Sequence, residues 1–271
     1  MPYIYWLLLS WYSFFGVDAF GGYHKNSFLY NSNPALISEF ENSVLVSGKF
    51  WDNETKIAEL NIFKSSFNFN FTFYNFGLFS YSSTIPDDFS NLQYAAFAYK
   101  LALGYVIPFD STFFFGIKAQ YNRFEYHNFF AEGFTINLGS LYTFSKVPVS
   151  LQIFLKDFGV NTSEGYSFPS SLNISAGYIF KNKLFFDLLL SQSISEGLNY
   201  VLKHDYYLSL SSAYAFRESI RSGVSFYAGD DLRISTIFLK FKPRNRMAIF
   251  YTITLRKEGF GPIQSLTLGV E

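Results

Sequence analysis

Residues Ser66 to Phe79 read SFNFNFTFYNFGLF, so Phe67, Phe69, Phe71 and Phe73 alternate with Asn68, Asn70 and Thr72. A period of two places the rings on one face of a strand and the amides on the other. The same alternation recurs to the end of the chain. Phe113, Phe115, Ile117 and Ala119 oppose Phe114, Gly116, Lys118 and Gln120. Ile174, Ala176 and Tyr178 oppose Asn173, Ser175 and Gly177, while Leu184, Phe186, Leu188 and Leu190 oppose Phe185 and Asp187. Met247, Ile249, Tyr251 and Ile253 oppose Thr252 and Thr254. Charge falls on the less apolar face, as expected where a lipid-facing Lys or Arg at mid-depth costs about 2–4 kcal/mol.

Bounded by turn residues, the pattern predicts strands near 43–51, 56–64, 66–83, 94–107, 112–127, 131–145, 147–160, 168–181, 183–195, 205–217, 219–230, 232–243, 246–257 and 261–271. Joints after even-numbered strands are tight: Lys64-Ser65, Pro108-Phe109-Asp110, Lys146, Asn182, Glu218 and Pro243-Arg244-Asn245. Several others are longer, at Thr84–Gln93, Asn161–Ser167 and Glu196–His204. Short turns on one rim and long loops on the other mark an outer-membrane barrel. The expected fold is therefore all-β: a transmembrane antiparallel β-barrel of about 14 strands spanning 43–271, with rings toward lipid and polar side chains toward the lumen. A β-sandwich or lipocalin-like barrel is the soluble alternative, but so many long strands exceed what such a domain uses.

Composition sharpens this picture. The 271 residues are 22% aromatic, with 36 Phe and 21 Tyr, and only 15% charged, against a typical ~25%. No apolar run reaches the length of a spanning helix. Zero net charge argues against nucleic acid as a partner. Without Cys there is no disulfide, thiolate chemistry or lipoprotein anchor. Residues 1–19 read as a signal peptide, an apolar stretch from Ile4 to Phe15 followed by the small-residue site Val17-Asp18-Ala19.

Few residues carry chemistry. Glu59, Lys100, Lys118, Lys156, Asp187, Arg221 and Lys240 fall on the lumen face. They could select charge in a pore, but both signs occur, which favours pairing across a filled interior. His127 and His204 near the long-loop rim, and His24, lack a nucleophilic Ser or metal-ligand spacing, so neither an enzyme nor a cofactor site is expected. Trp51, Tyr94, Tyr121, Tyr126, Tyr142, Tyr206 and Tyr214 suit interfacial girdles. Asn161-Thr162-Ser163 matches a glycosylation sequon by chance. A lumen of ~14 strands is too wide for wall side chains to fill, and residues 20–42, rich in Gly, Asn and Pro, are the available plug.

That segment also carries a family resemblance. Gly21-Gly22 followed by Tyr30-Asn31-Ser32-Asn33-Pro34-Ala35-Leu36-Ile37 is similar to the N-terminal signature of the PorV/PorQ family, nearest its PorQ-like members. Phe73-Tyr74-Asn75-Phe76-Gly77-Leu78-Phe79, Ile136-Asn137-Leu138-Gly139-Ser140-Leu141-Tyr142 and Lys156-Asp157-Phe158-Gly159 resemble further motifs in the same order. These are FadL-like outer-membrane proteins of the type IX secretion system. The resemblance implies 14 strands, an N-terminal plug and a non-enzymatic role in protein secretion or cargo attachment at the outer membrane. It singles out Gly21, Gly22, Asn33, Pro34, Ala35 and Leu36, and implies lipid, secretion proteins or cargo as partners. The alternative is a FadL-like transporter of small hydrophobic molecules, with an apolar pocket against the plug and a lateral opening at a bulge.

Overall fold

The structure, a computed structural model, describes residues 33–40, 42–51, 55–80, 93–126, 129–161, 170–181, 183–194, 202–217, 219–228, 233–244, 247–256 and 262–270. Fourteen strands follow in chain order: β1 (Val44–Trp51), β2 (Thr55–Lys64), β3 (Phe67–Ser80), β4 (Gln93–Pro108), β5 (Phe113–Tyr126), β6 (Phe129–Thr143) and β7 (Val149–Asn161), then β8 (Ser170–Phe180), β9 (Leu184–Ile194), β10 (Leu202–Arg217), β11 (Ile220–Ala228), β12 (Arg233–Arg244), β13 (Met247–Arg256) and β14 (Ile263–Val270). Each pairs antiparallel with its sequence neighbours, and β1 pairs with β14 to close the barrel. Closure satisfies backbone N–H and C=O groups without a free edge, the condition for sheet to survive in hydrocarbon.

Burial alternates as the sequence predicts. On β3, Asn68, Asn70 and Thr72 are buried and face the lumen, while Phe67 and Phe69 are exposed on the outer wall. Leu103, Ile153, Leu188, Leu210, Ile237 and Leu268 continue that apolar outer surface. Tyr142, Tyr206 and Tyr214 stand exposed on it, and Tyr121 donates to Glu132 Oε2 at 2.6 Å. The side chains of Trp51, Tyr94 and Tyr126 lie outside the described residues.

Among the described residues five strand pairings carry a register shift, and two of these bear on the lumen. Across β3 and β4, Asn75 pairs with Phe97 and Leu78 with Ala95, so Phe76 and Gly77 together face Ala96. Gly77 has φ 88°, the left-handed conformation a bulge glycine adopts without strain. Its N–H is capped by Asn75 Oδ1 at 2.9 Å. Across β6 and β7, Lys156 and Asp157 both stand opposite Asn137. Asp157 takes φ 52°, and its N–H donates to Asn137 Oδ1 at 2.8 Å.

Inside the barrel, Pro34–Glu39 forms a 3-10 helix packed against β4, β5 and β6. Two turns exceed the usual length of a 3-10 helix in isolation, so the wall must hold it. Residues 1–32, which include the signal-peptide segment, Gly21 and Gly22, lie outside the described residues.

Candidate functional site

The lumen is tiered. At the long-loop end, Ile57, Tyr74, Phe76, Ala96, Ala98, Phe124 and Ile263 form an apolar bowl on the inner wall. Tyr74 and Phe76 stack at 6.2 Å, and Phe124 meets Phe76 edge-on at 5.9 Å. Aromatic groups turned inward here contrast with the polar inner face immediately below.

Below the bowl lies a polar belt. Glu59 accepts from Asn61 Nδ2 at 2.8 Å and Asn70 Nδ2 at 3.1 Å, with Lys49 Nζ 3.7 Å from its other oxygen. Asn70 also donates to Asn61 Oδ1 at 2.9 Å. Register then places Thr72, Lys100 and Asn122 on the same rung. A second knot centres on Gln120 Nε2, which reaches Asn137 Oδ1 at 2.7 Å and Asp157 Oδ1 at 2.8 Å. Lys156 Nζ lies 3.9 Å from Asp157 Oδ2. Buried polar groups in a low-dielectric interior need such partners. On the far wall, short hydroxyls pair across strands: Ser47 with Thr267 at 2.8 Å, Thr252 with Ser265 at 2.6 Å and Thr236 with Thr254 at 3.0 Å.

The seven charges predicted for the lumen lie on seven different strands, β2, β4, β5, β7, β9, β11 and β12, all described. Glu59, Lys100, Lys118, Lys156, Asp187 and Lys240 are buried, and Arg221 is half-buried. Arg221 lies over the Phe185 ring at 4.9 Å and Lys240 over Phe250 at 4.7 Å. Among the described residues, sequence reasoning missed further lumen charges, Lys49 and Asp157 among them. Lys49 follows the alternation of β1 and could have been found from it. Asp157 could not, because strict alternation puts it on the lipid face and only the bulge turns it inward.

The lowest tier is apolar again and contains the inner helix. Ala35, Leu36, Ile37 and Phe40 pack with Leu45, Phe63, Val106, Leu141, Phe154 and Leu189. Phe40 stacks on Phe63 at 4.7 Å. Asn33 caps the helix, accepting from Ala35 N–H at 3.0 Å and donating to Gln152 Oε1 at 2.9 Å and the Ser140 carbonyl at 3.3 Å. Pro34 takes the first helical position, where its missing N–H costs nothing.

Three adjacent glycines make the seat. A Cβ on Gly116 would lie 2.3 Å from the Ala35 nitrogen and the Pro34 carbonyl carbon. On Gly139 it would lie 2.0 Å from Asn33 Oδ1, and on Gly104 2.6 Å from Ile37 Cδ1. Gly116 and Gly139 are direct cross-strand partners. Asn33, Pro34, Ala35 and Leu36 are thus fully buried against the wall.

Among the described residues no group of three His, Cys, Asp or Glu could hold a metal. His24, His127 and the side chain of His204 lie outside the described residues.

No family model and no curated protein matches the sequence. Solved structures do. The Pseudomonas putida toluene transporter TodX is 10% identical, with a TM-score of 0.57 over 92% of this chain and 94% of that one. The CymD monoaromatic hydrocarbon channel is 8% identical, with a TM-score of 0.59 over 93% and 94%. A Pseudomonas aeruginosa FadL homologue is 8% identical, with a TM-score of 0.56 over 92% and 94%. At such identities the likeness is one of fold. The chain shares the barrel fold of these structures, the fold that the resemblance implied, whereas the narrower PorV/PorQ assignment rests on the motifs alone.

Proposed function

We propose that the protein admits small hydrophobic molecules at the outer membrane, the second of the two roles weighed from the sequence. The bowl of Tyr74, Phe76, Phe124 and Ile57 carries this reading. A pore for hydrated solutes would keep polar groups there, while an apolar molecule gains by leaving water for aromatic walls. The polar belt beneath offers it nothing, since crossing would disrupt buried hydrogen bonds among Glu59, Asn61, Asn70, Gln120 and Asp157. The bulge at Phe76-Gly77 adjoins the bowl and interrupts the ladder to β4, so a sideways route into lipid would lie here. The names of the neighbouring structures, a toluene transporter and a monoaromatic hydrocarbon channel, support the same class.

A role in type IX secretion needs a surface for machinery or cargo. The Asn33-Pro34-Ala35-Leu36 motif that suggested it is buried against the inner wall. There it shapes and seats the inner helix and presents no face to a partner.

Equilibrium binding of toluene to the refolded barrel in detergent tests the proposal. Wild type should bind, and Phe76→Asp combined with Phe124→Asp should weaken binding by about tenfold or more, the scale of losing a buried ring. Binding left unchanged by both substitutions would sink this reading. Recovery of secretion-system proteins with the tagged barrel from outer membranes would favour the other.

A further inference from the structure

Three consecutive short-turn hairpins repeat one motif where their first strand runs out. At the end of β6 the chain reads Tyr142-Thr143-Phe144-Ser145-Lys146. At the end of β8 it reads Tyr178-Ile179-Phe180-Lys181, with Lys183 two residues on, and at the end of β10 Tyr214-Ala215-Phe216-Arg217. In each case the Tyr and Phe are exposed on the outer wall and the cation follows in or beside the turn. Tyr142 and Phe144 meet edge-on at 4.8 Å, and Tyr214 and Phe216 at 5.0 Å. Lys181 Nζ stands 5.2 Å from the Phe180 ring centre.

From these features we infer that the short-turn rim of β6–β11 binds the headgroups of anionic phospholipids in the adjoining leaflet. Outward rings at one level mark the edge of the hydrocarbon, and the cations just past them stand at the depth of lipid phosphates. Cations outnumber acids in these three turns, with Lys146, Lys181, Lys183 and Arg217 against Glu218. Neighbouring hairpins repeat the motif every two strands, roughly 10 Å apart. That spacing spreads the charges along the wall, where separate headgroups sit, and builds no compact patch for an acidic protein. Juxtamembrane cations of this kind each strengthen binding to an anionic surface severalfold. Charge screening follows, so the preference should fade as salt shortens the Debye length.

The inference is independent of what the lumen carries. Native mass spectrometry of the full barrel, titrated with equal phosphatidylglycerol and phosphatidylcholine of matched chains, reads it directly. Wild type should retain phosphatidylglycerol over phosphatidylcholine by about tenfold. The combined variant Lys146→Gln, Lys181→Gln, Lys183→Gln and Arg217→Gln should bring the ratio near one. Should that variant fail to fold, judged by heat-modifiable gel mobility, wild type at about 0.5 M salt supplies the second reading, and there too the ratio should collapse. Equal retention of the two lipids by wild type overturns the proposal, as does a preference that survives both the substitutions and salt. Capture of an acidic periplasmic protein through these four residues, with no lipid preference, assigns the rim to protein docking instead.

Discussion

Asp110, in the turn between β4 and β5, accepts from the Thr112 N–H at 2.6 Å, the Thr112 hydroxyl at 2.7 Å and the Phe113 N–H at 2.7 Å. Those bonds, the Thr112 hydroxyl first, hold its carboxyl below the ordinary aspartate value. A depressed folded value means that the turn is stabilised above the unfolded pKa of about 3.9 and loses that contribution as pH falls through the lower folded value. Asp110→Asn should therefore lower the urea midpoint at about pH 6, and the gap between the two proteins should close at about pH 2. A gap that stays constant across that range would remove the carboxylate from the account. Single residues also mark the limit of what the sequence discloses. The Phe67–Phe73 alternation declares its own facing, because period two needs no tertiary information. Asp157 defeats the same rule: one bulge residue at φ 52° reverses the faces beyond it. No local signal announces that shift, since the residue is not a glycine.

Among the elements, the strands were legible and the seat of the inner helix was not. Tight and long joints alternate in the chain, so strand number and direction could be counted. The motif Asn33-Pro34-Ala35-Leu36 reads in the sequence only as part of the plug, and its form, a 3-10 helix capped by Asn33, comes from the structure. Its docking depends on Gly116 and Gly139, which meet in register, and on Gly104 two residues off that register on the next strand, a relation that appears only once the strands are paired. Those glycines give a graded test. Gly116→Ala drives a methyl group into the Pro34–Ala35 backbone, which has no rotamer to escape by. Gly104→Ala meets only the tip of Ile37, which can turn aside. Protease accessibility of the segment before β1, measured on the folded barrel, should rise strongly for Gly116→Ala and little for Gly104→Ala. Equal protection in both would show that the helix does not need the groove.

At the level of the whole molecule, a closed ring encloses two apolar layers with a polar belt between them. The lower layer is partly supplied by the chain's own N-terminal segment, so wall and filling are separable. Deleting Phe20–Asn42 should leave the barrel foldable and raise single-channel conductance in planar bilayers. Unchanged conductance would mean that the wall side chains alone seal the lumen. A barrel of this strand number was expected to need such filling, because its circumference outgrows the reach of its side chains. The tiering itself was hidden, since a given strand contributes to bowl, belt and base at successive inward positions. On β4 the same alternation yields Ala96 and Ala98, then Lys100, then Val106.

Val44 stands opposite Val270, so the first strand and the last meet at the seam. Phe40, stacked on Phe63 inside the barrel, precedes that seam by only a few residues. This geometry ties closure of the wall to the two ends of the strand sequence. The helix precedes every strand in the chain and β14 follows all the others, so until β14 pairs with β1 the wall beside the helix is an open sheet. Once β14 pairs with β1, the closed wall surrounds the helix on every side. The hydrogen bonds of the seam thus close the wall and enclose its filling together.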